Sequence, residues 1–212
     1  MSLLCEVFPP GAGMVRTVAT PPCAAASTDQ AVLLEILRRD VALALWLRPE
    51  PAGWRRMTAP LLAAAPFRAA CEDAPEAAVD GVLAALGQPV PVALAADMTR
   101  LAAMFAAISG HDRVRVRLDG VVHDSCRHFH IDAIGLRLLC TYRGEGTQWT
   151  LCGPDCRAPH QAPACAVALL KGTRHATPAP AGCLHRSPPV SRLPEDKRAR
   201  ILLCIDEPGV FA

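Results

Sequence analysis

Cys126-Arg127-His128-Phe129-His130-Ile131-Asp132 sets an imidazole and a carboxylate two residues apart in a stretch that reads as a strand over 129–132. Alternate residues of a strand share a face, so His130 and Asp132 point the same way and can take neighbouring positions around one divalent ion. One His-x-Asp alone is more often a hydrogen-bonded surface pair. Far downstream, however, His185 falls on another expected strand, 183–186, flanked by Gly182 and by Pro188-Pro189. Two imidazoles and one carboxylate make the facial triad of a non-haem iron site, with open positions for substrate, cosubstrate or oxygen. A closed structural zinc site instead wants four ligands, typically with thiolates. His130, Asp132 and His185 are therefore the candidate metal ligands. Fe(II) is the expected ion and Zn the alternative, because the same donors generally hold Zn(II) more tightly.

Working outward, the second half of the chain reads as β-structure. Residues 113–118 alternate charged and apolar side chains, and 136–143, 147–151, 166–171 and 198–206 are further strand candidates. Gly144-Glu145-Gly146 suits a tight hairpin, since glycine accepts positive φ. Before Gly110 the apolar spacing is helical: from Asp29 through Leu45, stopped by Pro49 and Pro51, then over 59–71, 76–86 and 96–108. The expected class is α+β. A double-stranded β-helix core, jelly-roll or cupin-like, spans 111–212 and carries the metal site; an Ala-rich helical layer, 29–110, packs on it; 1–28 form a loosely ordered lead-in to what is one structural domain overall.

Composition narrows the function. Of 212 residues 51% are hydrophobic but only 4% aromatic, so the core is built from Ala, Leu and Val, and stacking platforms for nucleobases are scarce. The formal charge of +2 supplies no field to draw the chain onto nucleic acid or an anionic membrane, and neither is an expected partner. Arg38, Arg39 and Asp40 interrupt the longest apolar stretch, and Met1 to Phe8 lack the basic and apolar regions of a secretory leader. A cytoplasmic protein with reduced thiols is expected. The small-molecule or protein substrate and the oligomeric state are left open.

The order His-x-Asp, long excursion, His, then arginine on the last strand resembles the Fe(II)- and 2-oxoglutarate-dependent oxygenase superfamily. The resemblance implies that His130, Asp132 and His185 hold iron and that Arg200 clamps the far carboxylate of 2-oxoglutarate, with Arg198 the close alternative. Tyr142, the only tyrosine, keeps the parity of the triad if the pleat is unbroken and would then donate to the same carboxylate; a bulge at Gly135 would spoil that parity. A longer likeness runs through 126–132, 136–149 and His185-Arg186-Ser187-Pro188-Pro189. These motifs resemble a bacterial family catalogued as a domain of unknown function, over roughly 30–206. That family has no settled reaction and is associated with zinc-homeostasis gene neighbourhoods, which keeps a non-catalytic zinc-binding protein beside the dioxygenase reading. A cupin-type isomerase or hydrolase using the metal as a Lewis acid is a third possibility.

Several neighbours are candidates for the pocket or for orienting the ligands. His128 shares the parity of His130 and is a fourth ligand, an outer partner, or a plain strand-end histidine. Thr141, Arg143 and Trp149 flank the hairpin and line the pocket mouth or merely pin the turn. Arg186 and Ser187 follow a ligand directly. Cys152, Cys156, His160 and Cys165 superficially resemble a zinc knuckle, but the spacing is loose and Pro-rich, and an irregular loop is the plainer reading.

Overall fold

Strands rich in valine, leucine and isoleucine pair into two sheets in a computed structural model that describes residues 23–151, 158–177 and 182–209. The larger sheet contains β1 (Cys23–Ser27), β2 (Val41–Trp46), β3 (Phe67–Asp73), β4 (Val114–Val121), β5 (Leu136–Arg143), β8 (Val167–Lys171) and β10 (Arg200–Asp206). Its order is β1-β2-β8-β5-β10-β4-β3, with only β1 and β2 parallel. The smaller sheet is β7-β6-β9, from β6 (Gln148–Leu151), β7 (His160–Gln161) and β9 (Cys183–Arg186). The fold is thus mixed α+β around a large, mostly antiparallel sheet.

Each face of the large sheet has its own cover. Leu136, Leu138, Cys140 and Tyr142 of β5 and Ile201, Leu203 and Ile205 of β10 point to one side, into a core shared with helices α3 (Pro75–Leu86) and α4 (Val92–Ser109). Pro75 opens α3 at a position that needs no intrahelical amide bond, and Gly87 and Gly110 end the two helices at positive φ. By length and composition α4 is apolar enough to cross a membrane, yet Leu94, Met98, Leu101 and Phe105 are spent on this core. On the other face, Leu43, Leu45, Leu139, Leu170 and Cys204 meet Trp149 and Cys183 of the small sheet.

The expected helical layer over 29–110 forms only in its second half, where the helices expected over 76–86 and 96–108 are α3 and α4. The first expected helix splits into a 3-10 helix, Gln30–Leu37, and β2; the second, expected over 59–71, is reduced to α2 (Ala59–Ala63), preceded by α1 (Trp54–Met57) and followed by β3. The physical reason is burial. Val41–Trp46 is buried along its whole length between two sheet neighbours, and a short, wholly apolar run carries no periodicity to separate strand from helix. Arg38 pairs with Asp40 at 2.8 Å in the turn that parts the two elements. Pro66 disfavours helix at the residue before it, and β3 then pairs with β4. Within the expected lead-in, 23–27 is strand β1; 1–22 lie outside the described residues.

Candidate metal centre

Residues 126–132 run antiparallel to β9 with very few backbone bonds, so the strand expected over 129–132 reduces to a bridge. The amide of Ser187 donates to the Cys126 carbonyl at 2.8 Å, and His130 and His185 exchange amide bonds at 3.1 and 2.9 Å. This reciprocal pair brings the imidazole rings to 4.7 Å between centroids. Beyond Asp132 the chain is pinned from three directions. Thr173 and Arg174 amides donate to the Asp132 and Ile134 carbonyls at 2.9 Å each. The Glu207 carboxylate accepts from the amides of Gly135 and Leu136 at 3.2 and 3.0 Å. Gly172 lies so close that a Cβ there would stand 2.2 Å from the Ile134 carbonyl oxygen and 2.7 Å from that of Asp132.

One donor atom from each of His130, Asp132 and His185 lies within 4.8 Å of the others. The His130 Nδ1 is 2.9 Å from the His128 carbonyl, a contact that requires the proton on Nδ1 and leaves the Nε2 lone pair, 3.5 Å from Asp132 Oδ1, for a metal. The His185 Nε2 approaches Asp132 Oδ2 to 3.0 Å, but Oδ2 is buried with no hydrogen bond donated to it. A buried carboxylate oxygen without a donor beside one imidazole nitrogen, with the second imidazole nitrogen against the other oxygen of the same carboxylate, fits a divalent cation such as Fe(II) or Zn(II). Burial pushes the Asp132 carboxyl up, but the His185 imidazole, the Arg137 guanidinium and His130 overcome it and hold the group down at about 2. The side chains of His185, Asp132 and His130 are 7%, 14% and 36% exposed, so the triad opens to solvent past His130.

Arg200, at the start of β10, is 1% exposed and has a threonine for company: its Nη2 is 3.3 Å from Thr141 Oγ1, while Nε and Nη1 are buried without a partner. Burial pulls its pKa down to about 10, partly offset by Glu145. By alternation Arg200, Leu202, Cys204 and Asp206 share the face of Thr141 and Arg137, which is the face that meets the triad. Trp149 is directly opposite His185 in the small sheet, and its Nε1 is likewise buried without an acceptor.

Other expected site residues lie elsewhere. Tyr142 points to the helices and donates to Asp97 Oδ2 at 2.8 Å, so it is no carboxylate donor at the metal side. Parity is lost in the irregular stretch between Asp132 and Leu136. Arg143 also turns to the helical side, reaching the Arg55 carbonyl at 2.6 Å and Thr58 Oγ1 at 3.0 Å. The register of β5 against β10 slips there, Ile201 facing Arg143 and Leu202 facing Thr141, and a bulge of this kind defeats simple alternation. Arg198 precedes β10 and donates to the Leu193 carbonyl. His128 is exposed and contributes its carbonyl rather than its ring. Arg186 bonds Gln148 and lies 4.3 Å over the Phe129 ring, and Ser187 secures the 126–130 segment. His160 stacks on Trp149 and Cys165 Sγ contacts the Tyr142 carbonyl; neither joins a metal-ligating group among the described residues, and Cys152 and Cys156 lie outside them.

Two residues escaped the sequence reading. Arg137 Nη1 is 2.8 Å from Asp132 Oδ1, and its Nε and Nη2 grip both oxygens of Asp206 at 2.6 and 2.9 Å. The available signal was a charge at the second position of β5 and at the last of β10, each adjoining an apolar run.

Comparisons with known proteins agree on remoteness. No curated protein matches the chain. Among solved structures, a Pseudomonas putida prolyl-4-hydroxylase is 15% identical, with 84% of this chain and 98% of that one covered and a TM-score of 0.44. A bsmA homolog from Methylobium petroleophilum is 11% identical over 84% and 92% of the chains, with a TM-score of 0.46. A full-length Neurospora crassa protein, solved in complex with alpha-KG, is 15% identical over 85% and 81%, with a TM-score of 0.42. At these scores the likeness is too distant to transfer an activity. A family model does match, over residues 27–206, and it spans β2 to β10, the triad and Arg200 together: the chain belongs to the family described as protein of unknown function, DUF1826.

Proposed function

We propose that the chain is an Fe(II)- and 2-oxoglutarate-dependent oxygenase built on a double-stranded β-helix. The strand order supports the architecture. From β4 onward the chain alternates between sheets, except for the step from β6 to β7 within the small one, giving β8-β5-β10-β4 in one and β7-β6-β9 plus the His130 bridge in the other. Such alternation is how a jelly roll is wound. In this reading the triad and Arg200 line walls of the same interior.

The observation that carries the reading is Arg200. A triad alone would serve zinc storage equally well, but a buried guanidinium with two unpartnered nitrogens and, among the described residues, no carboxylate within ion-pair distance is built to receive an anion. In this reading Arg200 grips the far carboxylate of 2-oxoglutarate through two parallel hydrogen bonds, and Thr141 fixes the plane of the guanidinium. Trp149 offers its indole N–H to the same ligand. Leu139, Leu170 and Ala168 exclude water from the space behind it. The metal, when bound, supplies redox chemistry and open coordination positions. Its substrate approaches past the exposed edge of His130, where Phe129 and Arg186 form the rim.

The test is spectroscopic. Anaerobic addition of Fe(II) and then 2-oxoglutarate to the purified protein gives a weak visible charge-transfer band, and Arg200→Ala removes the band while still binding metal. No band, with stoichiometric zinc retained, would sink the oxygenase in favour of a zinc-binding protein.

A further inference from the structure

The geometry points to Arg137 as the residue that positions the metal-binding carboxylate of Asp132, with Asp206 as its anchor. This rests on the metal-centre reading above and adds a residue to it. Arg137 is rigidly held: a bidentate pair with Asp206 at 2.6 and 2.9 Å uses one edge of the guanidinium, and Asp206 has a side chain only 2% exposed at the end of a central strand. The remaining nitrogen, Nη1, then meets Asp132 Oδ1 at 2.8 Å. Because the fork is planar and both pairs share it, the plane of the Asp132 carboxylate is set by β10 rather than by its own irregular loop.

The consequence for a metal is directional. With Oδ1 occupied by Arg137, the oxygen left without a donor is Oδ2, the one beside His185 Nε2. Arg137 therefore selects which oxygen coordinates and holds the carboxylate to one-oxygen binding. Since Asp206 balances its charge, it does so without neutralising Asp132. A lysine keeps the charge but has no second edge, so it cannot hold both carboxylates in one plane.

Titration of the metal-free protein with Co(II), whose visible d–d absorption reports coordination number and geometry, tests this without any turnover. Two variants are compared with wild type: Arg137→Lys, and Arg137→Met combined with Asp206→Asn so that no buried carboxylate is stranded. Both are expected to unfold cooperatively, to bind Co(II) about tenfold to a hundredfold more weakly, and to show changed d–d intensity. Wild-type affinity and spectrum in both variants would overturn the assignment and leave Arg137 a structural staple. If wild type itself takes up no Co(II), the metal-centre reading falls and this inference with it.

Discussion

At Arg200 a charge is carried into an interior that offers it one threonine hydroxyl. Burial lowers its pKa from 12.5 to about 10, which corresponds to roughly 3 kcal/mol against the charged form. That penalty persists across the working pH range, because a guanidinium stays charged there. Arg200→Met should therefore leave the ligand-free protein at least as stable as wild type in urea, while 2-oxoglutarate raises the melting temperature of wild type alone. A markedly less stable Arg200→Met would mean that the guanidinium already has an anionic partner. Asp132 has the opposite sign. Its carboxyl is held at about 2, so the stability it contributes is complete above the ordinary carboxylate range and is lost as the pH falls from about 4 toward 2. Acid unfolding of the metal-free protein should accordingly be less steep in Asp132→Asn, which should also fail to retain metal.

Among the elements, the loop that carries Asp132 depends on a neighbouring strand end having no side chain. Gly172 follows β8, and any Cβ there would press on the carbonyls of Asp132 and Ile134. Gly172→Ala is expected to destabilise the fold by about 1–3 kcal/mol and to weaken Co(II) binding as well, since the displaced carbonyls belong to the metal loop. Urea unfolding and the Co(II) titration measure the two effects, and unchanged values for both would show that the loop yields freely. The slip between β5 and β10 is a second local device. It lets Arg143 reach the helical side, where Tyr142 already points by alternation, and leaves Thr141 facing Arg200.

Across the whole molecule, the small sheet covers only part of the inner face of the large one, and a row of alternating charges occupies that face beyond its reach. Arg68 and Arg117 hold Asp119 at 2.7 and 2.9 Å; Arg117 also feels Asp206, which pairs with Arg137 and so leads to Asp132. The row crosses β3, β4, β10 and β5 from an arginine 66% exposed to the metal loop. Its inner members are the costly ones to break. Asp206→Ala, which removes the bidentate partner of the buried Arg137 and leaves it Asp132, should lose about 2–3 kcal/mol in urea unfolding, whereas Arg68→Ala at the exposed end should lose about 1 kcal/mol or less. Equal losses at both ends would indicate that the row acts as one cooperative unit.

How much of this was legible differs by the range of the interaction. The His-x-Asp spacing, the distant His185 and Arg200 at an inward position of a strand could be read from the chain, because side-chain direction along a strand is local and repeats every two residues. The bounds of β5 and β9 were readable for the same reason. Val41–Trp46 and Phe67–Asp73 were not: they are strands because sheet neighbours accept their hydrogen bonds, and nothing in a short apolar or Ala-rich run announces those neighbours. Nor could spacing show that Arg143 turns away or that Arg137 reaches Asp132. A one-residue slip between strands and a shared guanidinium between distant carboxylates exist only once the sheets have closed, because each depends on pairing across the fold rather than along the chain.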